Sequence, residues 1–253
     1  MTPDWTPLAQ ELQIWRAQDL SLPLWWRDDD AIQPTRALDQ LAALSDTTGL
    51  PVHLAVIPQA ATQALADGLP DRMIPVVHGW AHANHAPKGQ KKAEFGAHRR
   101  TDQITTDAAQ GLQQLQTLFG ARLRPMFVPP WNRIAPDIVT ALPGLGYTAL
   151  STFTPRKAPM AAPGLQRINT HLDPIAWKTT RSLVDPAQLI AQLTQQLQDR
   201  RRGDADAREP YGLLTHHLVH DPAIWEFTET LLLRLMDSGI ATPWIAPAQE
   251  PPV

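Results

Sequence analysis

Short apolar extended runs alternate with helical patterns along most of the chain, and that alternation restricts the fold to a mainly parallel sheet covered by helices. Extended runs are predicted at Leu22–Arg27, Pro51–Ile57, Met73–Val77, Pro125–Val128, Tyr147–Thr152, Leu165–Thr170 and Tyr211–Thr215. Between them, Thr35–Leu44 carries Leu38, Leu41 and Leu44 at three-residue steps, the spacing of one helix face. Further helices are expected around Ala60–Leu69 and over Thr101–Phe119, Ala135–Leu142, Pro186–Arg200 and Ala223–Met236. Gly79–Arg100 has no periodicity and reads as a long polar loop. About seven such units favour a closed or nearly closed barrel over a doubly wound open sheet. No domain boundary or repeat is visible, so residues 1–253 are expected to form a single catalytic domain.

Composition narrows the function classes. The formal net charge is −3, and the one compact basic run, Arg200–Arg202, is flanked by Asp199, Asp204 and Asp206. No nucleic-acid footprint is expected from this balance. Cysteine is absent, so any metal must be held by His, Asp or Glu. Met1–Leu24 carries Asp4, Glu11, Arg16 and Asp19 and does not read as a signal peptide; no run is long enough for a membrane span. A cytoplasmic protein without membrane or nucleic-acid partners is the expectation. Oligomeric state is not legible. The 25 prolines, twice the roughly 5% usual, are spread along the chain and imply many short loops.

The chemistry collects where strands are predicted to end: Asp28-Asp29-Asp30, then His78 and His82, then His216-His217. In parallel α/β folds the loops after strand C-termini build the active site. Histidines four apart, as in His78-Gly79-Trp80-Ala81-His82, share one face of a helical turn and can hold one cation. The glutamate that zinc proteases place after the first histidine is Gly79 here, so the protease reading has no base. Adjacent aspartates on an extended strand point to opposite sides, so one can bind an ion while its neighbour reaches a water. Asp30 reads better as an acidic loop residue or helix cap.

These residues resemble the polysaccharide deacetylases (carbohydrate esterase family 4, the NodB homology domain). Trp26-Arg27-Asp28-Asp29-Asp30 is similar to that family's Thr-Phe-Asp-Asp-Gly. His78-Gly79-Trp80-Ala81-His82-Ala83-Asn84 is similar to its His-Ser/Thr-x-x-His motif. Phe127-Val128-Pro129-Pro130-Trp131-Asn132 is similar to Phe-Arg-Pro-Pro-Tyr-Gly, and Leu213-Leu214-Thr215-His216-His217 to Leu-x-His. The resemblance implies an α/β fold, a distorted (β/α)7 barrel, with one divalent ion, most often zinc. Carried over by position, it implies Asp28 as general base and Asp29, His78 and His82 as metal ligands. It also implies His216 as the general acid, with His217 next to it as an alternative. Trp80, Pro130, Trp131, Asn132 and His217 are then expected to meet substrate. The implied activity is removal of an acyl group from an amide of a small-molecule or oligosaccharide substrate. The alternative is a non-catalytic metal- or carbohydrate-binding protein on the same fold.

One departure stands out. The family's third-motif arginine, which pairs with the base, is Val128 here, and Arg27 or Arg124 is the expected substitute. His171-Leu172-Asp173 with Trp177 faintly matches a fourth motif and is expected to stand behind His216. Trp25, Trp26, Trp177 and Trp225 are expected to pack. His53 is expected to be structural, His85 a stray third ligand at most, and His220 with Asp221 a cap for the last helix. The loop cations Lys88, Lys91, Lys92, Arg99 and Arg100 are expected either to be solvated or to face an anionic part of a substrate.

Overall fold

The computed structural model describes residues 3–248. Parallel strands alternate with helices, as the hydrophobic pattern predicts. The sheet order is β6 (Met160–Ala162), β7 (Leu165–Arg167), β5 (Ala149–Leu150), β4 (Met126–Val128), β3 (Met73–His78), β2 (Val52–Val56), β1 (Leu22–Ala31) and β8 (Tyr211–Thr215). Only β6 with β7 is antiparallel, and β9 (Ala241–Pro243) pairs with the start of β1. The two ends of this path meet beyond β7. There Leu172 forms a parallel bridge with Leu213, His171 N donates to Gly212 O at 2.7 Å, and Leu214 N donates to Leu172 O at 2.8 Å. The result is the expected distorted (β/α)7 barrel, sealed by a short ladder on one side.

The helices α2 (Arg36–Thr48), α3 (Gln63–Gly68), α4 (Thr101–Phe119), α5 (Pro136–Ala141), α6 (Pro186–Arg202) and α7 (Pro222–Asp237) follow the predicted pattern. Side-chain oxygens of Thr35, Asp185 and Asp221 cap α2, α6 and α7, each accepting a backbone N–H of the first turn. Asp221 thus fills the expected capping role, while His220 instead lies edge-on to Trp225. The helix α1 (Thr6–Ala17) was not expected from the sequence; it buries Leu8, Leu12 and Trp15 and packs mainly against α6. Its weak amphipathicity comes from Glu11, which is buried and ion-paired with Arg201.

Two apolar layers fix which way each strand residue points. A large cluster joins helices to the outer sheet face and includes Leu22, Leu24 and Trp26 of β1. A smaller one holds strand residues, Ile168 just after β7 and the C-terminal segment: Trp25, Ala55, Val76, Met126, Val128, Ala149, Ile168 and Ala246. That smaller cluster is the barrel interior. At its base His53 stacks on Trp244, lies edge-on to Trp25 and accepts the Ala246 N–H at 3.0 Å. Burial pulls the His53 imidazole down to about 4, consistent with a neutral packing residue. Trp25 and Trp26 are fully buried, as expected for packing residues.

Gly212 is where β8 crosses closest to the barrel interior. A Cβ there would lie 2.8 Å from Asn169 O and 2.9 Å from Thr170 Cα, and against the Trp25 indole nitrogen. Gly212→Ala is therefore expected to cost about 1–3 kcal/mol through overpacking, measured as a lowered urea midpoint.

Candidate active site at the strand ends

Strand β1 runs through the aspartates, and its alternation sorts them. Asp28 continues the outward series Leu22, Leu24, Trp26, whereas Asp29 continues the inward series Trp25, Arg27. The register with β2 then shifts between Asp28 and Ala31, and Asp30 takes a left-handed backbone with φ 78°. This irregularity breaks the alternation, so Asp30 joins Asp29 at the barrel mouth instead of turning away.

The geometry of the candidate ligand group follows from that turn. Asp30 Oδ1 lies 3.1 Å from His78 Nε2 and 3.3 Å from His82 Nε2. Candidate ligand atoms of Asp30, His78 and His82 all lie within 4.8 Å of one another, the only such group among the described residues. His78 Nδ1 sits 3.0 Å from Val128 O, which fixes the ring and turns Nε2 toward Asp30. Both histidines meet, with His78 ending β3 and His82 in the loop after it, not on a helical turn. His82 has φ 54°, and Glu94 gathers the loop by accepting N–H bonds from Trp80, Ala81 and Ala83. Gly79 (φ 58°) is required here: a Cβ would lie 2.6 Å from Pro130 Cδ and strike the Glu94 carboxylate. The imidazoles raise a strong local field. Burial opposes ionisation of Asp30, yet hydrogen bonding and charge from His78 hold its carboxyl well below the usual range.

Asp29, expected as the ligand, is instead clamped by Arg27. The Arg27 Nε and one terminal nitrogen donate to its two oxygens at 2.9 and 3.1 Å. Arg27 has no solvent access, and its other bonds go to Ser151 Oγ, Thr152 O and Asn132 Oδ1. Of the two expected substitutes, Arg27 is the one ion-paired with an aspartate at the mouth, while Arg124 bonds Ala246 O away from it. Across from the pair, His216 Nε2 lies 3.9 Å from Asp29 Oδ2. Behind His216 stand Asp173, close enough for their charges to interact, and Trp177, edge-on at 4.6 Å.

Asp28, expected as the base, lies on the other side of the sheet. It is fully buried, bonded to Thr215 Oγ1 at 2.6 Å and to His217 Nδ1 at 2.5 Å. His217 shares that burial. Asn132 is committed to Arg27, Pro130 is buried, and Trp80 is half-buried against the outer core. Trp131, half-buried at φ 57°, places its ring 4.4 Å from His82 and is the expected substrate contact that does face the mouth. Trp177, expected to pack, is 38% exposed beside His216, and Trp225 packs as expected.

Neither a family model nor a curated protein sequence matches the chain. A family 4 carbohydrate esterase from Streptomyces lividans in complex with acetate is similar at a TM-score of 0.53 and 14% identity, over 88% of this chain and 92% of that one. A family 4 acetyl xylan esterase from Clostridium thermocellum, in complex with a cobalt ion, matches at 0.53 and 14%, over 87% of each chain. A mutant of a pseudoenzyme of carbohydrate esterase family 4 matches at 0.56 and 11%, over 88% of this chain and 65% of that one. The fold is that of the polysaccharide deacetylases. The resemblance read from four ordered motifs therefore holds at the level of the fold. No helix among the described residues is long and apolar enough to cross a membrane.

The Asp28–His217 pair makes a pH prediction. Burial would raise the Asp28 carboxyl, but the charge and hydrogen bond of His217 outweigh it and hold it below its ordinary value. Burial would lower His217, and Asp28 outweighs that in turn, so the imidazole is held above its ordinary value. The stabilisation from His217 is full below its unfolded value of about 6.5 and is lost as pH rises through the folded value. Asp28 contributes above its own unfolded value of about 4, and that contribution disappears as pH falls through its lowered folded value. The stability gap between the parent and His217→Gln should be widest between those unfolded values. It should narrow through the neutral and alkaline range in denaturant titrations at stepped pH. A gap that does not change with pH would show that the fold leaves the titration of this imidazole unshifted.

Proposed function

We propose that the protein is a divalent-metal-dependent hydrolase that removes an acyl group from an amide, with N-acetylated sugars as the leading substrate class. One observation carries this reading: the Asp30–His78–His82 group lies beside an arginine-clamped Asp29 that faces His216 at 3.9 Å. A metal store needs the first three residues but not the other pair.

The donor set fits one divalent ion, and two imidazoles with one carboxylate suit zinc while admitting cobalt, nickel or iron. When bound, such an ion supplies Lewis-acid polarisation of the acyl carbonyl and of a water. The remaining work falls to the chain. Asp29 takes the water's proton, and the two parallel N–H bonds from Arg27 fix its carboxylate in one orientation. An amine leaves poorly unless protonated, and His216, on the opposite side of the mouth, delivers that proton. Trp131 and Trp177 offer flat apolar surfaces on which a sugar ring can lie. This assigns the base to Asp29 and the ligand to Asp30, one residue beyond the expected register. Asp28 becomes a structural partner of His217.

A second reading, a protein that binds without turnover, draws on the pseudoenzyme among the similar structures and on Val128. Two sets of variants separate them. The purified parent should carry about one equivalent of metal, and Asp30→Ala and His82→Ala should each lose it in elemental analysis. Asp29→Asn should keep the metal yet release amine from N-acetylated sugars about 10²–10⁴-fold more slowly. Equal turnover in Asp29→Asn and parent would exclude Asp29 as base, and metal retained in both ligand variants would exclude the site.

A further inference from the structure

We infer that the substrate carries a negative charge outside the reacting amide, bound between two cations that flank the mouth, Lys92 and Arg181. This deepens the deacylase reading and rests on it for the position of the amide. Lys92 Nζ lies 5.8 Å from the centre of the Trp131 ring, which touches His82. On the other side, the Arg181 guanidinium lies 5.4 Å from the centre of the Trp177 ring, which touches His216. Each cation is thus one aromatic ring away from a residue assigned to the chemistry.

Three facts set these side chains apart from an ordinary solvated rim. Neither cation has a carboxylate partner among the described residues, although carboxylates crowd the mouth. Asp29 is taken by Arg27, Asp30 by the histidines, and Asp173 by the Trp177 indole N–H at 2.7 Å. One ring, Trp131, and one cation, Arg181, stand on backbone that is unfavourable for their residue types. Trp131, Asn132 and Arg181 have φ of 57°, 57° and 56°, a conformation that costs of order 1 kcal/mol each and persists where surroundings enforce it. The enforcing bonds are visible: Arg27 to Asn132, Arg133 to the Lys92 carbonyl at 2.7 Å, and Arg181 N to Ala176 O at 3.1 Å. Finally, Trp177 leaves 38% of its surface to solvent, apolar area that a seated substrate would cover. Unpaired cations held over aromatic faces beside an acyl-transfer site match an N-acylated sugar bearing a carboxylate or a phosphate monoester.

The test compares binding with turnover. Affinities of metal-loaded Asp29→Asn are measured by calorimetry for N-acetylglucosamine, its uronic acid, and its phosphate monoester at the primary hydroxyl. We expect at least one of the two anionic sugars to bind about tenfold more tightly than the neutral one, as two exposed ion pairs supply. That ratio should fall about threefold when either Lys92→Ala or Arg181→Ala is added, and stay unchanged with Arg72→Ala on the far surface. Which anion shows it identifies the charged group. A ratio near one, no binding of any of the three sugars, or a ratio that survives in the Lys92→Ala/Arg181→Ala double variant overturns the inference. Parallel amine-release assays on the protein with Asp29 intact keep the two claims apart. No turnover with the binding ratio present removes the hydrolase reading alone. Turnover of the neutral sugar with a ratio of one removes the charge inference alone.

Discussion

A guanidinium without solvent must find acceptors for all its N–H groups, and Arg27 finds them on three different segments of the barrel mouth. Its bonds reach Asp29 on its own strand, Ser151 and Thr152 after β5, and Asn132 after β4. Burying that charge is tolerable only because Asp29 is buried with it, and an unpaired half would be costly by several kcal/mol. The pair therefore fixes the direction of Asp29, the backbone of the Trp131–Asn132 turn, and the spacing between neighbouring strand ends. The geometry around Asp30, His78 and His216 is assembled on this frame. Asp28 belongs to a separate network, held by Thr215 and His217.

A second organiser is Glu94. It sits far from the histidines in sequence, in a stretch whose charges are mostly solvated, yet it is 1% exposed and holds three backbone N–H groups of the His78–His82 loop. A carboxylate spent on backbone donors leaves no periodicity and no motif. It is invisible to any reading that looks for spacing between side chains that meet.

Most strands and helices were legible because their burial follows the periods of two and of about 3.6 that the chain's physics imposes. The predicted Pro51–Ile57, Met73–Val77 and Tyr211–Thr215 runs coincide with β2, β3 and β8 to within a residue or two. The helix α1 escaped because a buried glutamate breaks its apolar face. At the site, His78, His82 and His216 were legible as strand-end residues, but the carboxylate that meets the first two imidazoles is Asp30, one position beyond the expected Asp29. The parity of β1 carried a partial warning, since Asp28 falls in step with Leu22, Leu24 and Trp26, which belong against helices. What parity could not give was the left-handed turn at Asp30, since three identical residues stand in a row there. Arg27 was readable as a substitute for the absent motif arginine only because the gap at Val128 called for one. Choosing it over Arg124 required the coordinates.

The short Leu172–Leu213 ladder has a consequence for how the chain reaches this state during vectorial synthesis. Strand β1 is made first, yet its outer edge is completed only by β8 and β9, close to two hundred positions later. Until those segments emerge, β1 offers an unsatisfied edge, and His216 is not yet available to face Asp29. The candidate constellation is thus a late product of the folding path. A nascent chain holding His78 and His82 has both imidazoles in hand well before the barrel that aims them has shut.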